Sequence, residues 1–283
     1  MFFGIPSSAS GVDLTKEEAI NSLLSYCDEV GVDHVSIGPS MKDGKPDADA
    51  LIMLREHVNS LGLRTFGGGI FYAREGNFFD ESIRNQQFQQ ITELIRCYGK
   101  AKVDPVTIFC FVAPSDNADE QKARWELSTE FLRRLVDESE SAKVHLAVHT
   151  LTNSVFNNYE TVMRMFSDIP SDYLGVCYDV AIHTELKDDV SSNIKALKNK
   201  MPIMHLRTIG DVTPWRDFEV KDGKLQKAEE RKVQVDFLSV MCALVESDYD
   251  GILALEHQPG AISYARAVGY LKGVLESARR EAY

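Results

Sequence analysis

The sequence predicts a (β/α)8 barrel formed as a single domain over residues 1–283. Three observations carry the prediction. Short apolar runs alternate with longer helical patterns along the whole chain. Eight strand–helix units can be read with no hairpin interposed. The length also fits the roughly 250 residues that such a barrel needs. An open doubly wound sheet is the alternative, but it would favour a glycine-rich nucleotide loop after the first strand. Ile5-Pro6-Ser7-Ser8 carries no GxGxxG.

The units follow in order. Phe2 to Pro6 reads as the first strand. Asp13-Leu14-Thr15-Lys16-Glu17-Glu18 then opens a capped helix that stops near Gly31. Strand two is His34 to Ile37, and its helix runs from about Asp47 to Leu61. Strand three, Leu63 to Phe66, ends on Gly67-Gly68-Gly69 and precedes a helix from about Asp80 to Tyr98. Strand four is Val106 to Val112, with a helix from about Asn117 to Glu140. Strand five is Val144 to Val148, with a helix from about Asn158 to Phe166. Strand six, Leu174 to Tyr178, is followed by a helix near Ser191 to Leu197. Strand seven is Ile203 to Leu206, strand eight Ile252 to Leu255, and a last helix takes the chain to its end. One connection is oversized: a polar insertion, about residues 210–232, follows strand seven, at the end of a barrel where substrate loops are built.

Bulk composition narrows the function. A net charge of −12 and a pI near 5.1 argue against nucleic acid, which requires a basic face. The longest apolar run, Val106 to Ala113, is far shorter than the roughly 20 residues that span a bilayer. Met1-Phe2-Phe3-Gly4 lacks the basic start of a signal peptide. Five cysteines, widely spaced and without a CxxC, read as buried free thiols of a reducing compartment. The expectation is a cytoplasmic protein with no nucleic-acid or membrane partner, a small-molecule substrate, and an oligomeric state compatible with a homo-oligomer.

The chemistry concentrates at strand ends. Ile252 to Leu255 is a run of the kind buried on both faces, and it ends on Glu256 and His257 before a Pro-Gly break. A carboxylate in that position is costly to desolvate unless it is paired or holds a metal. The same pattern places His149, Asp179 and His205 at the ends of strands five, six and seven. Side chains at the C-terminal ends of barrel strands converge on one mouth however distant in sequence. Two imidazoles and two carboxylates form a mixed N/O set suited to a divalent ion, Mn²⁺ first, with Mg²⁺, Co²⁺ or Zn²⁺ also compatible. Each residue alone is as well explained as a cap or a satisfied polar group. Cys177, two before Asp179, points to the same face and could compete as a ligand but reads as core, and His183 reads as a loop histidine that is either solvated or able to reach the site. His145 belongs at a strand entrance, away from the mouth. The glycine run 67–69 fits either a barrel bend or close approach of a substrate to the backbone.

These residues resemble the xylose-isomerase-like barrel superfamily of sugar isomerases, epimerases and dehydratases. The passage from Val235-Asp236-Phe237 through Asp250-Gly251 to Leu255-Glu256-His257 looks like its route from a helix start to a metal-binding acid. Within it, the chain most resembles the mannonate dehydratase family. That family's strand-five histidine is matched by His149 and its His-x-Arg by His205-Leu206-Arg207. A following Phe-Glu is matched by Phe218-Glu219, and its acid-histidine pair by Glu256-His257. Its Tyr-x-Arg-Ala-x-Gly helix is similar to Tyr264-Ala265-Arg266-Ala267-Val268-Gly269. The departures are Thr150-Leu151-Thr152-Asn153 in place of a Pro-Asp-Asp-Pro-Pro run, Asp179 in place of a cysteine ligand, and Glu256 in place of aspartate. Asp179 and Glu256 are what sugar epimerases and isomerases show.

The resemblance implies a divalent-metal-dependent sugar-acid dehydratase that converts an aldonic acid to a 2-keto-3-deoxy acid through an enediolate. His149, Asp179, His205 and Glu256 would be its metal ligands, and His257 and Tyr264 its acid/base pair. Arg207 would clamp the carboxylate, since guanidinium binds carboxylate bidentately, and His183 would contact substrate. Simpler readings pair Arg207 with Asp211 and pack Tyr264 on the barrel. A metal-dependent sugar isomerase or epimerase is the alternative function. A barrel with a degraded site acting as a sugar-binding or scaffold protein is the third.

Overall fold

The computed structural model describes residues 1–6, 25, 27–73, 78–207, 218–221, 224–227, 235–256 and 261–282, with side chains not described at 6, 218–221, 224–227 and 261–264. Eight parallel strands form one closed barrel: β1 (Phe2–Pro6), β2 (His34–Ile37), β3 (Arg64–Tyr72), β4 (Val106–Cys110), β5 (Leu146–His149), β6 (Leu174–Asp179), β7 (Ile203–Leu206) and β8 (Ile252–Leu255). Their order around the barrel is β1-β8-β7-β6-β5-β4-β3-β2, each strand beside its neighbour in sequence. The helices are α1 (Ala48–Ser60), α2 (Glu81–Ala101), α3 (Ala118–Ala142), α4 (Tyr159–Asp168), α5 (Val180–Glu185), α6 (Val190–Leu197), α7 (Phe237–Glu246) and α8 (Ala261–Glu281). Among the described residues no helix is long and apolar enough to cross a membrane.

The apolar runs are buried as their composition requires. Every residue of β5, β6, β7 and β8 is buried, the condition of a strand covered on both faces. Helix starts are set by short polar side chains one position ahead. Asp80 accepts from Ser82 N and Ile83 N, and Asn117 from Asp119 N and Glu120 N. Asn158 forms a reciprocal capping box with Thr161.

The chain divides into two compact units. One comprises Met1–Asp33, Asp179–Asn199 and Met204–Tyr283. Within it β1 pairs with β8 in the register Phe2↔Ile252 to Gly4↔Ala254, and α7 packs on both α6 and α8. The other comprises His34–Tyr178 and Lys200–Ile203. Its strands pair in sequence order from β2 to β6, and α2 packs between α1 and α3.

Three expectations are corrected. The glycine run does not end β3 but lies inside it, and the register against β4 shifts between Gly67 and Ile70. A Cβ on Gly67 would lie 2.4 Å from Val106 Cγ2 and 3.1 Å from Val106 Cα, so the bulge needs a residue without one. A two-stranded hairpin, Met41–Lys42 with Lys45–Pro46, is interposed after β2 but stands apart from the barrel ladder. A six-residue helix, α5, follows β6 directly where no helix was expected. The first helix falls largely outside the described residues, as does most of the 210–232 insertion. The described part of the insertion is an antiparallel pair, Phe218–Lys221 with Lys224–Lys227.

At the entrance to β5, His145 Nδ1 lies 2.8 Å from Asp104 Oδ2. The hydrogen bond with Asp104 holds the imidazolium and raises the His145 pKa, against partial burial. The sign follows from linkage: a folded-state pKa above the unfolded value stabilises the fold fully below about pH 6.5 and ceases to do so as pH rises through the folded value. Urea midpoints of the wild type and Asp104→Asn should therefore differ most below that pH and converge at alkaline pH. Gly67→Ala should lower stability by about 1–3 kcal/mol through overpacking, read as a lower urea midpoint.

Candidate active site

Four side chains of the first unit meet where β6, β7 and β8 end. Asp179 closes β6 and caps α5: its Oδ1 accepts from Ala181 N at 3.0 Å and Ile182 N at 3.2 Å. Its other oxygen, Oδ2, accepts from Arg207 Nε at 2.5 Å. The two-residue period of β7 brings His205 and Arg207 to the same side, and Glu256 follows β8 directly. Glu256 joins the group at both oxygens, Oε1 at 3.1 Å from His205 Nδ1 and Oε2 at 3.5 Å from Arg207 Nε. The result is a chain of alternating charge and polarity: Asp179, Arg207, Glu256, His205.

Burial makes this arrangement electrostatically demanding. The Asp179 side chain is fully buried, and those of His205, Arg207 and Glu256 are largely so. Burial raises the Asp179 pKa and Glu256 adds to the rise, while Arg207 and His205 oppose it. Burial pushes Arg207 down, but the charges of Asp179 and Glu256 outweigh it, so the guanidinium is held above its ordinary value. Two carboxylates this deep require positive charge beside them.

In the second unit, His149 ends β5 and is 1% exposed. It stands in register with Cys177 on β6, two residues before Asp179. Its ring stacks on Phe109 with centroids 4.4 Å apart. Phe109 in turn stacks on Phe71 at 4.8 Å, and Phe111 continues the row. Within the first unit, one ligand atom from each of Asp179, His205 and Glu256 lies within 4.8 Å of the others. These three donors, one imidazole and two carboxylates, fit a borderline or hard divalent ion.

His183 is not a solvated loop residue. It lies in α5, fully buried, with Nδ1 2.6 Å from Asp188 Oδ2. Asp188 N closes the pair by donating to the His183 carbonyl at 2.9 Å. Asp188 and the phenylalanine row were missed in the sequence. The alternation Phe109-Cys110-Phe111 was the available signal, since period two sets both rings on the face opposite Cys110. His257 and Asp211 lie outside the described residues, as does the Tyr264 side chain.

The comparisons bear on the fold. The family described as "Xylose isomerase-like TIM barrel" matches residues 23–274, and the chain belongs to that family. Among solved structures, an L-ribulose 3-epimerase superposes with a TM-score of 0.75 at 15% identity, covering 99% of this chain and 96% of that one. A mannonate dehydratase from Streptococcus suis serotype 2 gives 0.69 at 17% identity, covering 100% and 96%. An IOLI protein solved "with a binding zinc atom" gives 0.70 at 15% identity, covering 98% and 99%. No curated protein sequence matches the chain.

Asp179 serves at once as helix cap and as partner of a buried guanidinium. Asp179→Ala should therefore destabilise the protein by roughly 2–4 kcal/mol, the combined cost of a lost cap and a stranded charge. Asp179→Asn, which keeps the cap acceptor, should lose less; equal midpoints for the two variants in chemical denaturation would contradict the dual role.

Proposed function

We propose that the protein is a divalent-metal-dependent enzyme acting on a sugar acid, a dehydratase that forms a 2-keto-3-deoxy acid from an aldonic acid. The observation that carries the reading is the Arg207 guanidinium set against the ligand carboxylates. Two carboxylates contribute two negative charges, Arg207 one positive, and a divalent ion two more. The loaded cluster then holds one net positive charge with both imidazoles neutral, which favours an anionic substrate over a neutral ketose.

His149, Asp179, His205 and Glu256 would hold the ion. When bound it supplies Lewis-acid stabilisation of the charge that develops on substrate oxygens. The chain's own residues do the rest. Arg207 binds and orients the substrate carboxylate. A base removes the proton from the carbon beside that carboxylate. An acid then protonates the hydroxyl on the next carbon, which leaves as water, and the enol left behind tautomerises to the keto acid. The resemblance assigns these two roles to His257 and Tyr264.

A second reading, a metal-dependent sugar isomerase or epimerase, is favoured by the ligand types Asp179 and Glu256, and several of the structural neighbours carry that activity in their names. The products separate the two. Purified protein with Mn²⁺ and a panel of aldonic acids should release a 2-keto-3-deoxy acid, and His205→Asn or Glu256→Gln should cut the rate by at least about 10²-fold. Interconversion of ketoses with no keto acid formed would select the second reading instead.

A further inference from the structure

Arg207 has more to do than hold a substrate. Asp179 has one oxygen committed to two backbone N–H groups at the start of α5. Only Oδ2 is left for an ion without giving up the helix cap, and Oδ2 is where Arg207 Nε sits, at 2.5 Å. Glu256 repeats the pattern, with Oε1 beside His205 and Oε2 beside Arg207. On both acids, therefore, the guanidinium occupies an oxygen that a divalent ion would use. Two cations sharing the same buried oxygens repel each other strongly, because little water is there to screen them.

We propose that Arg207 competes with the divalent ion for Asp179 Oδ2 and Glu256 Oε2, holding the two acids together before the ion binds and limiting how tightly it binds. The proposal rests on the metal-enzyme reading above and adds an order to it. Arg207 is engaged by the protein's own acids until the ion arrives, and only then is it released towards an anionic substrate. Metal binding precedes sugar-acid binding, and the two are coupled through this one side chain.

The test is calorimetric titration with Mn²⁺ alone. Arg207→Met removes the charge and keeps much of the volume, so it should bind Mn²⁺ at least about tenfold more tightly than the wild type, whereas Arg207→Lys should stay within about threefold of it. Circular dichroism establishes that each variant is folded. In the wild type, independently of any variant, the Arg207 Nε–H resonance should shift on saturation with diamagnetic Mg²⁺ or Zn²⁺ as its bond to Asp179 is given up. Equal or weaker Mn²⁺ binding by Arg207→Met, equally tight binding by Arg207→Lys and Arg207→Met, or an unmoved resonance at saturation would each overturn the proposal. Failure of wild type and Arg207→Met alike to bind any divalent ion would remove the metal-enzyme reading and this inference with it. Wild-type binding unchanged by the substitution would remove this inference alone.

Discussion

The carboxylate of Asp179 lies at the end of a strand whose every residue is buried, and it must be met there by donors and positive charge. Two helix N–H groups supply the donors and Arg207 supplies the charge. Each of these in turn fixes something else. The N–H groups commit α5 to begin directly after β6, and α5 places His183 where Asp188 can hold it. The guanidinium commits Arg207 to the same side as His205 and draws Glu256 into the group. One buried charge thus organises a cap, a short helix and the side chains of three consecutive strand ends.

That dependence also explains how the barrel and the chemistry relate. The strands need only be apolar and of similar length to close the sheet, and β5 to β8 meet that need with continuous runs of buried residues. The chemistry needs the first polar residue after each run to be the right one. Family membership fixes the scaffold, and solved structures at 15–17% identity carry the same fold under the names of an epimerase and a dehydratase. Substrate class must therefore come from the charge and shape of this chain's own site, where Arg207 is the cation set against the two acids.

Much of this was legible in the residues. The bounds of β2, β7 and β8 match those read from the sequence, because each apolar run is cut off by glycine, proline or a charged side chain. The helix starts at Asp80, Asn117 and Asn158 were legible for the same local reason, a short acceptor side chain ahead of a periodic pattern. What failed depended on tertiary context. Gly67 to Gly69 read as a strand end because glycine usually breaks one, but the neighbouring Val106 requires its Cβ-free backbone inside the ladder. The helix α5 is too short to show a period, and Asp179 was read as a ligand without its second role as a cap. The partnership of Arg207 with Asp179 spans 28 residues, and no local pattern announces it.

The central claim is that a divalent ion is held by side chains from four strand ends. Anomalous diffraction from crystals grown with Mn²⁺ tests it most directly. The account predicts a single manganese peak about 2.0–2.3 Å from donor atoms of His149, Asp179, His205 and Glu256. A manganese peak bound elsewhere, or none at these residues under saturating Mn²⁺, would contradict it.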